Sequence, residues 1–314
     1  MPEQPGLRSR IIVPAILFFL STAAGYFAYF VNWGSALRHD WLYFNIFSYV
    51  FRSQVFGSGS FPFHNPYLCG GVDLLVNPQT RYFSPLIVLD LLFEPFKANL
   101  LSFVFYSLVG HGGAYLLLRH LKITRTTAIV GAIIFINCSW FGLHFAEGHV
   151  VLGVVQLIPF ILFATFNIGK RSMQVLFTGL FSWFVIDPAF YGIVLSVFSV
   201  LSLLVIHPSL LKDFFASTKR HPFFFIGLCL SILLISCSKL VPILLNQVDM
   251  DRIIFTRELQ FSHFKDVFFN PFQDPSFKFT EKNSMLEYGC YIGILSFLLV
   301  CGSFFKSGFL KSNY

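Results

Sequence analysis

Asp40 is the first residue that invites a chemical reading. It follows His39 just beyond a long apolar run, at the start of a polar segment. A carboxylate there would sit at the depth of lipid head groups, where it could hold a divalent cation or take a proton from an attacking hydroxyl as general base. Aspartate is also a favoured helix N-cap, and the two roles are compatible. Glu147 comes second, within His144-Phe145-Ala146-Glu147-Gly148-His149. His144 and Glu147 are three apart and share a helix face. With His149 they make a candidate metal-ligand or acid–base cluster; without chemistry they are a polar turn at the water interface. Three ionisable groups at a membrane boundary are costly unless used or solvated. The spacing misses the inverted zinc-protease pattern HxxEH by one residue. Arg38, Arg81 and Lys239 are the cations that could clamp a phosphate or pyrophosphate, and each could equally snorkel to head groups. A divalent cation, Mg or Mn, would draw on His39, Asp40, His144 and His149. Asp187-Pro188 reads as a turn. His111, beside Gly112 and Gly113, reads as an interhelical hydrogen-bonding group at a close helix contact.

The elements that must position these residues follow from composition. The chain has 314 residues, of which 55% are hydrophobic and 12% charged, with 43 phenylalanines. Mean hydropathy is +0.70. A soluble domain carries about 25% charged residues, so a soluble enzyme, a disordered chain and a basic nucleic-acid-binding domain are excluded. A helix needs about 20 apolar residues to cross the bilayer core. Eight runs approach this: 11–33, 98–118, 127–146, 150–168, 173–186, 189–206, 223–239 and 289–305. The expected fold is all-α and polytopic, a single transmembrane domain over 1–314 with about eight spans. Two long loops, 34–97 and 240–288, lie on one side. The first contains Trp41–Phe51 and Pro85–Phe93, which read as helices lying in the interface plane. Cys138, Cys229, Cys237 and Cys301 fall in apolar runs and read as small hydrophobes; Cys69 and Cys290 are the two that could pair. No Walker loop, Rossmann fingerprint or GxSxG occurs.

Eight spans put both termini on one side, and lysine and arginine choose it, because cytoplasmic loops are enriched in them. Arg8, Arg10, Arg119, Lys122, Arg125, Lys170, Arg171, Lys212, Lys219, Arg220, Lys306 and Lys311 fall on the proposed inside, 12 of the 22 basic residues, with Glu3 and Asp213 as the only acids. The net charge of +7 therefore reports orientation rather than a polyanionic partner.

A first span, an acid soon after it, a long loop with interfacial helices and then many spans resembles the C-type (GT-C) membrane glycosyltransferases. The stretches SFPFHNPYLCGGVDLLVNPQTRYFSPL, GHGGAYLLLRHLKITRTTAIVGAIIFINCSWF, SKLVPILLNQ and EYGCYIGILSFLL are similar to the YfhO-like branch of that family. The resemblance implies a hexosyltransferase of the bacterial inner membrane, with cytoplasmic termini and an extracytoplasmic site. It implies a polyprenyl-phosphate-linked sugar as donor and an envelope glycan, lipid or protein as acceptor. Asp40 matches the first-loop acid expected as base or metal ligand, and Glu147 matches a second acid in the next outer loop. His39 stands where a second acid often adjoins the first. The chain stops soon after its last span where relatives continue, which reads as a minimal or truncated version. The rival reading is a non-enzymatic lipid-carrier translocase or membrane assembly partner, in which the same acids and cations line a passage.

Overall fold

The computed structural model describes residues 7–31, 40–67, 71–75, 77, 79–187 and 190–246. Arg38, His39, Cys69, Pro188, Cys290, the expected span 289–305 and the later loop from residue 247 onward lie outside the described residues. The chain divides into two compact units. The first joins 1–136 to 148–251; the second joins 137–147 to 252–314, and its described part is 137–147.

The protein is an all-α membrane protein, with one hairpin of two-residue strands among the described residues. The first unit contains α1 (Leu7–Val31), α2 (Asp40–Ser58), β1 (His64–Asn65), β2 (Val72–Asp73), α3 (Ile87–Leu92), α4 (Pro95–His120) and α5 (Arg125–Ile136). In the second unit lies α6 (Ser139–Ala146), and the first resumes with a 3-10 helix (Val150–Leu157), α7 (Ile158–Phe166), α8 (Arg171–Ile186), α9 (Phe190–Ile206), α10 (Ser209–Arg220) and α11 (Pro222–Asn246). β1 and β2 pair antiparallel, His64 opposite Asp73.

Among the described residues four segments are long and apolar enough to cross a bilayer: Ile11–Tyr29, Pro95–His120, Arg125–Ala146 and Pro222–Pro242. A fifth exists if Ser196–Ile206 and Ser209–Arg220, bent by 102° to each other, count as one broken span. Val150–Phe166 and Arg171–Ile186 are apolar but shorter. The outer helices leave their apolar side chains uncovered. Phe19 and Phe27 of α1 are 61% and 66% exposed, and Leu234 of α11 is 71% exposed. That pattern fits hydrocarbon as the solvent.

α4 is the hub. Phe18, Ala114, Ile129 and Ala132 pack α1 and α5 against it. Tyr106, Val154, Leu157, Ile161, Leu180 and Phe184 pack the 3-10 helix, α7 and α8 on another side. Glycines set how closely these elements approach. A Cβ on Gly110 would stand 2.7 Å from the Gln156 carbonyl oxygen, and one on Gly113 would stand 2.9 Å from the Phe160 backbone nitrogen. Gly112, which the sequence also marks for packing, faces open space. His111 is fully buried, but its Nδ1 meets the Ser107 carbonyl of its own helix at 2.8 Å. Its ring stacks on Phe18 of α1 at 5.0 Å, so the contact across helices is a ring stack.

The run from 150 to 168 is not one helix. Pro159 has no amide hydrogen to reach the Val155 carbonyl, and the Ile158 N–H takes that oxygen instead, one residue closer. The segment before the proline therefore winds as a 3-10 helix, narrower and longer per residue than an α-helix.

Candidate functional site

Asp40 is the first residue of α2 and its side chain is 51% exposed. The helix is anchored by its neighbour. Trp41 is fully buried, and its ring lies 4.9 Å from that of Phe96 at the start of α4. Seven residues of α2 are buried, from Trp41 to Phe51, while Leu42, Tyr49 and Phe56 stay exposed. The Nε2 of His149 lies 3.0 Å from Asp40 Oδ2. Gly148 makes this approach possible. Its φ is +87°, and a Cβ there would fall 2.2 Å from the Trp41 backbone nitrogen. Only glycine accepts both that backbone and that contact. The turn after α6 thus seats on the first turn of α2 and delivers the imidazole to the carboxylate. A carboxylate–imidazole pair open to one side can accept a proton and hold it between two groups.

His144 and Glu147 belong to the second unit. Both are buried, and the His144 ring lies 4.5 Å from that of Trp140. The Glu147 backbone N–H closes α6 on the Leu143 carbonyl at 3.1 Å. Among the described residues no group of three or more His, Cys, Asp or Glu gathers at one point. Of the expected ligand set, Asp40 and His149 are the described pair that meet, two donors of mixed type against the oxygen-rich shell Mg or Mn takes.

Arg81 and Lys239, the other two predicted site residues that are described, have their donors engaged inside the protein. Arg81 forms a two-pronged pair with Asp90 of α3, Nη2 to Oδ1 at 2.8 Å and Nε to Oδ2 at 3.1 Å, and donates from Nη1 to Ser102 Oγ of α4 at 2.9 Å. Asp90 is 1% exposed. Burial alone would push the guanidinium toward discharge; the carboxylate of Asp90, and beyond it Asp187, reverses this and holds it above its ordinary value. Lys239 of α11 spends three donors on the loop before α3: Asn77 O at 2.9 Å, Thr80 O at 2.5 Å and Thr80 Oγ1 at 2.6 Å. The same loop holds Tyr82, whose phenol burial keeps well above its usual range, so it stays a donor to the Phe47 carbonyl at 3.2 Å.

Sequence reading missed the partner of this arrangement. Asp187, read as a turn residue, is 3% exposed and accepts from Ser84 Oγ at 2.7 Å, from the Trp183 indole at 3.2 Å and from the Tyr106 hydroxyl. Arg81, Asp90, Tyr106 and Asp187, with Ser48 and Asn99, line a cavity of about 20 Å³, room for about one water molecule and far too small for a sugar ring. The only sequence signal was two acids set in or beside apolar runs, which are costly there unless paired.

The described charges of the first unit sort to two ends. Asp40, Asp73, Asp90, Glu94, Asp187, Arg52, Arg81, Lys97 and Lys239 lie at one end. At the other, contacts join His120 to Asn167 at 3.3 Å and Arg171 to His221 at 2.6 Å, and the charges are Arg119, Lys122, Arg125, Lys170, Arg171, Lys212, Lys219 and Arg220 with Asp213 as the one acid.

Comparisons with protein-family models, with curated proteins and with solved structures returned no match.

Proposed function

We propose that the protein is a membrane glycosyltransferase that moves a sugar from a polyprenyl-phosphate donor to a cell-envelope acceptor. The observation that carries this reading is the Asp40–His149 pair, 3.0 Å apart and half exposed at the start of α2. It lies at the end of the first unit that carries the acids. Opposite it, the excess of lysine and arginine favours the basic end as the cytoplasmic side, so that in this proposal the pair faces away from the cytosol. An eight-span bilayer topology with both termini inside, in the inner membrane of a bacterium, belongs to this proposal.

The chemistry asks little of the protein. The acceptor oxygen forms a bond to the anomeric carbon while the bond from that carbon to the phosphate oxygen breaks, and the phosphate leaves already ionised. The acceptor proton passes to Asp40 as general base. His149 orients the carboxylate and shares the charge. Attack from the face opposite the phosphate inverts the anomeric carbon. Arg81 and Lys239, whose donors are taken within the fold, would act by shaping the loop between α2 and α3 rather than by direct contact with the leaving group. That leaves Arg38, next to the opening of α2 in sequence, as the cation for the phosphate. Glu147 enters the proposal as the second acid on the family resemblance alone.

Purified chain given a radiolabelled polyprenyl-phosphate sugar and envelope acceptor tests the proposal. Asp40→Asn should lower transfer by about 100-fold or more at unchanged protein level. Full-rate transfer by that variant removes Asp40 from the reaction and the proposal with it.

A further inference from the structure

Between α9 and α11 the apolar runs are interrupted by Lys212, Lys219 and Arg220, and the structure holds a helix there. α10 (Ser209–Arg220) turns away from the last part of α9 by 102°. If α9 runs along the bilayer normal, α10 lies close to the membrane plane. At 1.5 Å per residue its 12 residues cover about 18 Å.

The faces of α10 are sorted three ways. Leu210 and Ser217, seven apart, are the buried residues. Gln174 of α8 donates to Ser217 Oγ at 2.9 Å, which fixes that face against the bundle. Leu211 and Phe215, four apart, form an apolar stripe left 39% and 57% exposed. Lys212 and Lys219, seven apart, fall beyond that stripe, Arg220 closes the helix, and all three are exposed. Asp213, the one acid, is exposed as well; its Cβ lies 3.8 Å from where a Cβ on Gly169 would be, and, seven residues before Arg220, it falls on that residue's side of the helix rather than on the apolar stripe. Three exposed cations against one exposed acid leave the helix net positive beside exposed apolar surface.

A helix with a strongly sorted apolar flank, a basic flank and an orientation across the bilayer normal is built for the membrane interface. Water alone would suit the lysines but not Leu211 and Phe215. Charge chooses among lipids: three exposed cations against one exposed acid leave a net positive helix that attracts a negative head group, each cation by roughly fivefold in local concentration. We infer that α10 is an interfacial helix that gathers anionic phospholipids, Leu211 and Phe215 entering the acyl layer and Lys212, Lys219 and Arg220 holding the head groups. This inference stands apart from the sugar-transfer proposal and needs no activity.

The test uses the full chain in nanodiscs of mixed phosphatidylcholine and phosphatidylglycerol. Phe215→Trp places an indole on the apolar stripe, and bromine on the acyl chains of one lipid at a time quenches it by contact. The signal of the parent chain is subtracted, and Phe19→Trp on α1 is the lipid-facing reference. Brominated phosphatidylglycerol should report at least about fivefold enrichment over phosphatidylcholine at the α10 probe, the factor one such cation supplies, and less at the α1 probe. Lys212→Gln, Lys219→Gln and Arg220→Gln together should abolish the preference while bilayer quenching persists; Lys212→Arg with Lys219→Arg should retain it. Absence of quenching by either lipid overturns the inference, since the stripe is then wet or covered by another protein. Equal quenching by both lipids in the parent, or a preference that survives the triple glutamine variant, overturns it as well.

Discussion

The two ends of the first unit treat charge in opposite ways. At the acid-bearing end, Asp90, Asp187 and Lys239 are buried, Arg81 is partly buried, and every one is held by hydrogen bonds. At the basic end, Lys212, Lys219 and Arg220 stand exposed on one helix. A buried charge that loses its partner costs several kcal/mol, whereas an exposed one costs almost nothing. The first end is therefore where charge builds the architecture, and the second is where charge remains available to something outside the fold. Asp40 is the exception at the first end: half exposed, paired with His149 beside the turn at Gly148, and open to its surroundings.

Substitutions should break this contrast in graded fashion. Arg81→Met leaves Asp90 buried with an unmet charge, and should cost about 3–5 kcal/mol, seen as loss of folded protein or a large fall in melting temperature in detergent. Arg81→Met with Asp90→Leu removes both charges and should recover most of that loss; if the double variant is as damaged as the single one, the pair is not the cause. Gly148→Ala comes next. The clash with the Trp41 backbone and the positive φ together should cost about 1–3 kcal/mol, and should separate His149 from Asp40. Lys239→Met keeps the length of the side chain but leaves the Thr80 and Asn77 carbonyls unmet, for about 1–3 kcal/mol. It should make the 77–80 loop cleave faster under limited proteolysis, and an unchanged cleavage rate would count against the tie. His149→Gln is the smallest in stability: a solvent-exposed polar contact of this kind is worth about 0–1 kcal/mol, so the melting temperature should hold while the proposed sugar transfer falls. Equal loss of both would make the histidine a structural part only.

Some of this was legible in the chain and some was not. The apolar runs and the helix beginning at Asp40 follow from hydropathy and a favoured N-terminal residue, which are local properties. Asp40 and His149 were both marked as candidates, but nothing local says that residues 109 apart in sequence will meet. The Gly148 turn that joins them shows only as a glycine between two polar residues. The Arg81–Asp90–Asp187 cluster was hidden for the same reason: its donors and acceptors come from separate loops and helices, and an acid before proline reads first as a turn. Helix α10 was passed over because it is too polar to span and too short to stand out among apolar neighbours. The 3-10 segment was invisible to hydropathy, which does not distinguish one helical winding from another; Pro159 was the available clue.

The Lys239 tie fixes an order in time. Thr80 precedes its lysine by 159 residues. At synthesis rates of about 5–20 residues per second, the loop after α2 must wait roughly 8–30 seconds before the group that holds its carbonyls has even been made. Through that interval the early helices are in place while the loop beside them lacks its clasp, so any factor that guards the nascent chain would find its longest opportunity there.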